Sequence, residues 1–146
     1  MEITQRNFRE SDLPEIIEFK KKSTEISFPG YKFDEENFKK KLLRSSEKEP
    51  KGIQVLESGG KIIGYIWFSS KKGDFGKYGL LHHLFIDENY RGKDLAGKLI
   101  DYAEKYFRSK GIKRVKLTVT ETNVPAIKLY EKLNYKKTRS VMEKFL

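Results

Sequence analysis

A continuous apolar strand that runs into a long amphipathic helix constrains the fold of this chain more than any other feature. Residues 80–86 read LLHHLFI, which is typical of a central strand covered on both faces. Residues 91–110 then carry Leu95, Leu99 and Tyr106 at helical spacing, and Gly111 is suited to end the helix. A buried strand and an amphipathic helix in succession need covering layers on both sides, so the pattern favours a mixed α/β domain.

The rest of the chain alternates between strand and helix patterns without a repeat or a linker. Helices are predicted from a cap at Ser11 or Asp12 to about Lys22, from a cap at Asp34 to before Pro50, and from a cap at Asn123 to about Leu133. The other predicted strands cover residues 2–8, 52–57, 61–69, 115–120, 135–139 and 140–145. The order is β-α-α-β-β-β-α-β-α-β-β, an α/β (mixed α+β) sheet of about seven strands flanked by about four helices.

Composition narrows the classes of function. The 146 residues suggest a single domain spanning 1–146, and 31 basic against 21 acidic residues give a net charge of +10. This charge favours a polyanionic partner, which composition leaves open among nucleic acid, a membrane surface and a phosphorylated small molecule. The absence of cysteine excludes disulfides, cysteine-ligated metals and a thiol nucleophile, and with two histidines we expect no metal site. No apolar run is long enough to cross a membrane, so we expect a cytoplasmic protein.

The turn between the central strand and its helix has the chemistry of an anion site. The backbone N–H groups at a helix N-terminus are unpaired and carry partial positive charge, which favours a phosphate or pyrophosphate. Arg91 and Lys93 add full charges, and Gly92 allows a close backbone approach. Neither the dinucleotide-binding G-x-G-x-x-G pattern nor a Walker P-loop is present, since Leu99 stands where the latter needs Ser or Thr. An ordinary charged strand–helix turn is the alternative.

Two segments resemble the GNAT superfamily of acyl-coenzyme A-dependent N-acyltransferases. They read YRGKDLAGKLI over 90–100 and TNVPAIKLYEKLNYKK over 122–137, and residues 3–16 also look like the family's first strand and helix. The family's pyrophosphate signature is Gln/Arg-x-x-Gly-x-Gly/Ala, to which Arg91 and Ala96 correspond. Asp94 departs from it, since the family usually has Gly there, and Gly97 supplies a glycine beyond the pattern.

The resemblance implies a splayed sheet that binds acetyl-CoA. The pantetheine arm would lie along the opened edge of the central strand, at Leu84, Phe85 and Ile86. The pyrophosphate would lie on the turn and the start of the helix, formed by Arg91, Gly92, Lys93, Asp94, Leu95, Ala96 and Gly97. Asn123 would cap the last helix and contact the cofactor, and Tyr130 would lie near the thioester sulfur.

Two side chains are candidates for catalysis. Tyr130 would act as general acid toward the leaving thiolate, although Ile127, Tyr130 and Leu133 also share a helical face that suits a core tyrosine. His82 would accept the proton of the attacking amine, with a structural histidine or ordered water as alternatives. Strand alternation predicts that His82 and His83 point to opposite faces.

The sequence leaves the identity of the acetyl acceptor open. Family resemblance points to the loop after the first helix, where Glu25 could hold a cationic amine beside Phe28 and Tyr31; packing of the loop is the alternative for the aromatic residues. We expect direct transfer of an acetyl group to a primary amine of a small molecule, peptide or protein in a ternary complex, since no cysteine can carry the acyl group. A catalytically inactive coenzyme A sensor and a basic nucleic-acid-binding module are the alternatives. We expect neither a membrane nor a nucleic-acid partner, and the oligomeric state is open, a homodimer included.

Overall fold

The computed structural model describes residues 2–146, which form a five-stranded sheet with helices on both faces. The strands are β1 (Ile3–Asn7), β2 (Ile53–Ser58), β3 (Lys61–Gly73), β4 (Gly76–Ile86) and β5 (Val115–Leu117). The helices are α1 (Leu13–Ser27), α2 (Glu35–Lys48), α3 (Leu95–Ser109) and α4 (Val124–Lys132). Single 3-10 turns lie at Glu10–Asp12, Pro50–Gly52 and Glu88–Tyr90. The predicted mixed α/β class and the four helices are confirmed.

The sheet opens between β4 and β5. Its order is β1-β2-β3-β4-β5, antiparallel except for the parallel pair of β4 and β5. That parallel pair joins only Gly79–Leu81 to Val115–Leu117, whereas β4 continues to Ile86. Among the described residues, the end of β4 therefore has no strand partner on the β5 side.

Two apolar clusters lie on the two faces of the sheet. On one face, α3 contributes Leu95, Leu99, Ile100, Ala103 and Phe107, and α4 packs against the same cluster through partly buried side chains. On the other face, α1 and α2 pack against the sheet through Leu13, Ile16, Phe19, Phe38 and Leu42. The sheet is thus covered on both faces, as the apolar run of the central strand predicts.

The last two predicted strands do not form. No strand includes residues 136–146, and Val141, Met142 and Phe145 are 80%, 94% and 79% exposed. The run KKTRS over 136–140 has no apolar residue to place on a sheet face, so burial cannot fix a strand register there. The sheet has five strands where about seven are predicted from the sequence.

Capping residues define the helices near the site as the sequence predicts. The Asp34 carboxylate accepts a hydrogen bond from the Asn37 N–H at 3.1 Å at the start of α2. At the start of α4 the Asn123 side chain accepts one from the Ala126 N–H at 3.4 Å. Asn134, just after α4, has φ 71°, the left-handed conformation that ends many helices. No helix of residues 2–146 is long and apolar enough to cross a membrane.

Candidate active site

The turn before α3 exposes a run of backbone N–H groups. Within residues 2–146, the N–H groups of positions 92–97 have no hydrogen-bond acceptor, and the first paired amide of α3 is that of Lys98, bonded to the Asp94 carbonyl at 3.1 Å. Gly92, with φ 81°, and Asp94, with φ 58°, both adopt a left-handed backbone conformation in this turn. Successive unpaired amides at a helix N-terminus form a concave, positively polarised site suited to a phosphate group.

The backbone at Asp94 explains why the family pattern has glycine there. A left-handed φ favours Gly, and Asp and Asn are among the few other residues that adopt it readily. The Asp94 carboxylate makes no capping hydrogen bond, and it lies where a side chain at Gly97 would be: a Cβ at Gly97 would come 2.4 Å from Asp94 Oδ1. Gly97 therefore makes room for the carboxylate beside the first turn of the helix.

Two cations flank the amides. The Arg91 side chain donates from Nε to the Ile86 carbonyl at 3.0 Å, and its guanidinium carbon lies 5.7 Å from the centre of the Phe85 ring. This places Arg91 across the junction between the end of β4 and the amide run. The Lys93 Nζ lies 5.9 Å from the Tyr90 ring centre, and both cationic residues are exposed. Positive charge is thus added to the partial charges of the helix terminus.

The open end of β4 leads to this turn. Leu84 is half-buried against the cluster below α3 and α4, while Phe85 faces the cluster below α1 and α2. Ile86 is buried, so these three residues offer mainly their backbone at the edge. The strand ends where the Asp87 N–H bonds to the Ile63 carbonyl at 2.8 Å. An extended ligand could pair with this edge as an added strand does.

Tyr130 lies on α4 and packs against the same cluster as Leu84. Its ring makes an edge contact with Tyr135 at 6.0 Å between centroids. Burial raises its pKa above the ordinary value, so the phenol is protonated at neutral pH. Among the described residues its hydroxyl has no hydrogen-bond partner, whereas the Tyr135 hydroxyl donates to Glu104 at 2.7 Å.

The two histidines of β4 lie on the same side of the sheet, so the prediction of opposite faces is wrong. The register between β3 and β4 pairs Trp67 with His83 but Phe68 with Leu81, which leaves His82 as the extra residue of a β-bulge. A bulge breaks the alternation of side chains along a strand. The His82 ring therefore stacks on Trp67, with 4.2 Å between centroids, and its Nε2 bonds to the Ser69 hydroxyl.

His83 belongs to a separate hydrogen-bond network, which reaches α1. Its Nδ1 bonds to the Tyr65 hydroxyl, and its Nε2 lies 3.1 Å from the Ser23 hydroxyl on α1. Burial lowers the pKa of His83 to about 3 and that of His82 to about 4. Both rings are therefore neutral at pH 7, and His83 has both nitrogens engaged.

The acceptor-side candidates lie at the end of α1 and in the loop after it. Glu25 is exposed on α1, and Phe28 and Tyr31 are 43% and 52% exposed. Their rings make an edge contact at 5.7 Å, and Tyr31 lies 6.4 Å from Phe145 of the C-terminal segment. The aromatic pair is thus open to solvent on the face of the sheet that carries the histidine rings.

The residues present fit acetyl-CoA. The unpaired amides with Arg91 and Lys93 suit a pyrophosphate, the free edge of β4 suits the pantetheine arm, and Tyr130 has a free hydroxyl on the adjoining helix. No group of three or more histidine, cysteine or acidic side chains is placed to hold a metal ion in residues 2–146. The sequence gives no signal for the bulge that redirects His82.

Comparison with known proteins agrees with this geometry. Residues 13–135 match the sequence profile of the Acetyltransferase (GNAT) family. An uncharacterized N-acetyltransferase of Methanocaldococcus jannaschii is 27% identical over 94% of this chain, and this chain spans 62% of the length of that relative.

Solved structures share the fold across nearly the whole chain. A GCN5-related N-acetyltransferase from Ralstonia eutropha superposes with a TM-score of 0.81 at 19% identity and covers 99% of each chain. A predicted acetyltransferase from Clostridium acetobutylicum, solved with acetyl-CoA, has a TM-score of 0.78 at 14% identity and covers 99% of this chain and 96% of its own.

Proposed function

The chain belongs to the acetyltransferase (GNAT) family, an acyltransferase family, and on that premise we propose that it moves an acetyl group from acetyl-CoA directly to a primary amine in a ternary complex. The amine belongs to a small molecule, a peptide or a protein. Residues 1–146 act as one such domain. The observation that carries this proposal is the run of unpaired amides over 92–97 beside the open edge of β4, because it combines an anion site with a strand edge.

The amides of 92–97, with Arg91 and Lys93, hold the pyrophosphate of acetyl-CoA. Its pantetheine arm pairs with β4 at Leu84–Ile86. Asn123 contacts the donor from the N-terminus of α4. Acetyl-CoA supplies an activated acetyl thioester. Asp94 motivates the alternative of a coenzyme A sensor without catalysis, but its carboxylate has a place beside Gly97 and does not argue for loss of activity.

The transfer forms a bond between the amine nitrogen and the acetyl carbon and breaks the bond between that carbon and sulfur. A neutral amine gives up one proton in this transfer, and the leaving thiolate takes one. An amine that binds in its cationic form first loses a further proton to water. Tyr130 donates the proton that the thiolate takes, which its hydroxyl supports because it has no hydrogen-bond partner among the described residues. Burial raises the pKa of Tyr130, so the phenol carries its proton before the transfer. His82 accepts the proton of the neutral amine, directly or through water, since its ring is neutral at pH 7.

The acceptor enters from the side of α1. Glu25 holds the cationic form of the amine or of a neighbouring group, and Phe28 and Tyr31 contact its apolar part. The exposure of these three side chains, on the face that carries the His82 ring, supports this placement.

Calorimetric binding of coenzyme A and of its pantetheine fragment tests the donor site. We expect Arg91→Ala to weaken coenzyme A binding by about tenfold, the effect of losing one charge-assisted contact. The fragment lacks the pyrophosphate, so its weaker binding should be unchanged by this substitution. Arg44→Ala, on the exposed surface of α2, removes the same charge and serves as the control. Equal affinity of Arg91→Ala and the native chain for coenzyme A would contradict the pyrophosphate assignment.

A further inference from the structure

The far end of the β3–β4 hairpin carries a group of cations that the donor site does not use. We define the hairpin surface by five basic and two aromatic residues: Lys71, Lys72, Lys77, Arg114, Lys116, Phe75 and Tyr78. The hairpin is paired as far as Gly73 and Gly76, so it is an ordered ribbon up to its tip. Seven strand positions separate Phe75 from His82, a span of roughly 23 Å at about 3.3 Å per residue. The tip at Phe75 is therefore remote from the candidate active site, whereas the base of the hairpin surface lies nearer to it: Lys116 pairs with Leu80, and the charge of Lys71 contributes to the lowered pKa of His82.

The charges of the hairpin surface have no internal partners. None of its five basic side chains forms an ion pair within residues 2–146. Lys72 and Lys77 stand directly opposite each other on the two strands, and like charges in that arrangement destabilise a sheet. The acidic residue on the same tip is Asp74, and the nearby Glu49 is already bonded to Ser70 and Tyr106.

Aromatic rings are interleaved with these charges. Phe75 lies at the tip and is 82% exposed. Tyr78 has the Arg114 guanidinium 5.6 Å and the Lys116 Nζ 4.4 Å from its ring centre. Tyr78 is half-buried and its ring is covered by these cations, so Phe75 is the ring open to a ligand, and the cations lie along the same hairpin. Proteins that bind single-stranded nucleic acid combine exposed rings, on which bases stack, with cations that contact phosphates.

We propose that the hairpin surface binds single-stranded nucleic acid, at a site separate from that of acetyl-CoA. Adjacent strand residues point to opposite faces, so Lys71 and Lys72 place charge on both faces of the ribbon. A flexible polyanion can follow both faces, whereas a flat membrane surface meets one of them. Phe75 alone also offers little apolar area for insertion into lipid. In this proposal Phe75 is the stacking residue, and the proposal departs from our sequence-based expectation of no nucleic-acid partner.

Fluorescence anisotropy with a labelled single-stranded oligothymidylate tests the proposal. The native chain should bind with an affinity that falls steeply with salt. Lys72→Ala combined with Lys77→Ala should weaken binding at least about tenfold and reduce the salt slope by about 1.4, at about 0.7 per lost phosphate contact. The control is Lys40→Ala combined with Lys61→Ala, which removes two exposed lysines from α2 and from the opposite end of β3 and should leave binding unchanged.

An abasic oligomer of the same length isolates the stacking contribution. Phe75→Ala should weaken binding of the oligothymidylate about tenfold and leave binding of the abasic oligomer unchanged. Excess coenzyme A should not displace either probe. Melting temperatures and coenzyme A affinity of the variants verify that they are folded.

Several results would overturn the proposal. They are no oligothymidylate binding by the native chain, equal losses in the lysine variant and its control, and displacement of the probe by coenzyme A. The proposal would also be overturned if Phe75→Ala weakened binding of the oligothymidylate and of the abasic oligomer equally. Binding of anionic phosphatidylserine vesicles, with no binding of the oligothymidylate, would overturn it as well. The donor site is tested by coenzyme A binding alone, so failure here leaves the proposed acetyl transfer standing.

Discussion

At the scale of single residues, burial determines which side chains can exchange protons. Tyr130 is partly buried on α4, which raises its pKa, and its hydroxyl is free among the described residues. The two histidines show the opposite shift, because burial disfavours their charged forms. The site therefore holds a protonated phenol and neutral imidazoles at pH 7, the forms that a proton donor and a proton acceptor need.

Tyr130→Phe should lower kcat by about 100-fold, a usual contribution of a general acid, with coenzyme A affinity changed less than about twofold. Tyr135→Phe is the matched control on the same side of the fold. It removes a hydroxyl that bonds to Glu104, so it should lower the melting temperature and leave kcat near the native value. Steady-state kinetics with calorimetric binding separates the two effects. Unchanged kcat in Tyr130→Phe would remove its role as acid.

The pH dependence of kcat tests His82. Because burial lowers its pKa to about 4, the neutral ring persists well below pH 7, and protonation removes the acceptor only near that value. We expect kcat, at saturating substrates, to stay level as pH falls from 7 and to decline near pH 4. His82→Gln should lower kcat and remove this decline, with circular dichroism showing that the fold persists at each pH. A decline centred at the ordinary histidine value of 6.5 would contradict the assignment.

At the scale of elements, local signals predict capped helix ends well and strand partners poorly. The sequence predicts the end of α1 at about Lys22, whereas the helix continues to Ser27. The caps at Asp34 and Asn123 and the left-handed Asn134 follow from side-chain chemistry within a few residues, so the sequence identifies them. The bulge at His82 depends on the register between two strands, which alternation within β4 cannot reveal. The run 115–120 likewise has strand-forming residues, but β5 ends at Leu117 because its pairing with β4 ends there.

The N-terminus of α3 offers a test of how Asp94 is accommodated. Gly97→Ala puts a methyl group where the Asp94 carboxylate lies, which forces that side chain into another rotamer. We expect about fivefold weaker coenzyme A binding, since the displaced negative charge moves toward the amides.

Asp94→Gly suits the left-handed backbone at that position and removes the carboxylate. Added to Gly97→Ala, it should restore coenzyme A binding to the native level or better. The double-mutant cycle is measured by calorimetry. Additive losses in the double variant would show that the two positions act independently and would contradict this account of Gly97.

At the scale of the whole molecule, two groups of basic residues lie at opposite ends of β4, and the remaining basic residues are spread over the rest of the surface. Arg91 and Lys93 flank the amides before α3, and a larger group lies on the hairpin surface at the other end of β4. Net charge alone predicts a polyanionic partner without saying how many, because it does not locate the charges. The absence of cysteine restricts the chemistry more firmly, since the proposed transfer cannot use an acyl-cysteine of this chain.

The release of free thiol from acetyl-CoA across a panel of small amines and peptides tests the central claim most directly. We predict thiol release that depends on the presence of an acceptor, with an acetylated amine formed in equal amount and a strong loss in Tyr130→Phe. Coenzyme A binding with no acceptor-dependent thiol release across the panel, and no acetylated product, would contradict the assignment of direct acetyl transfer.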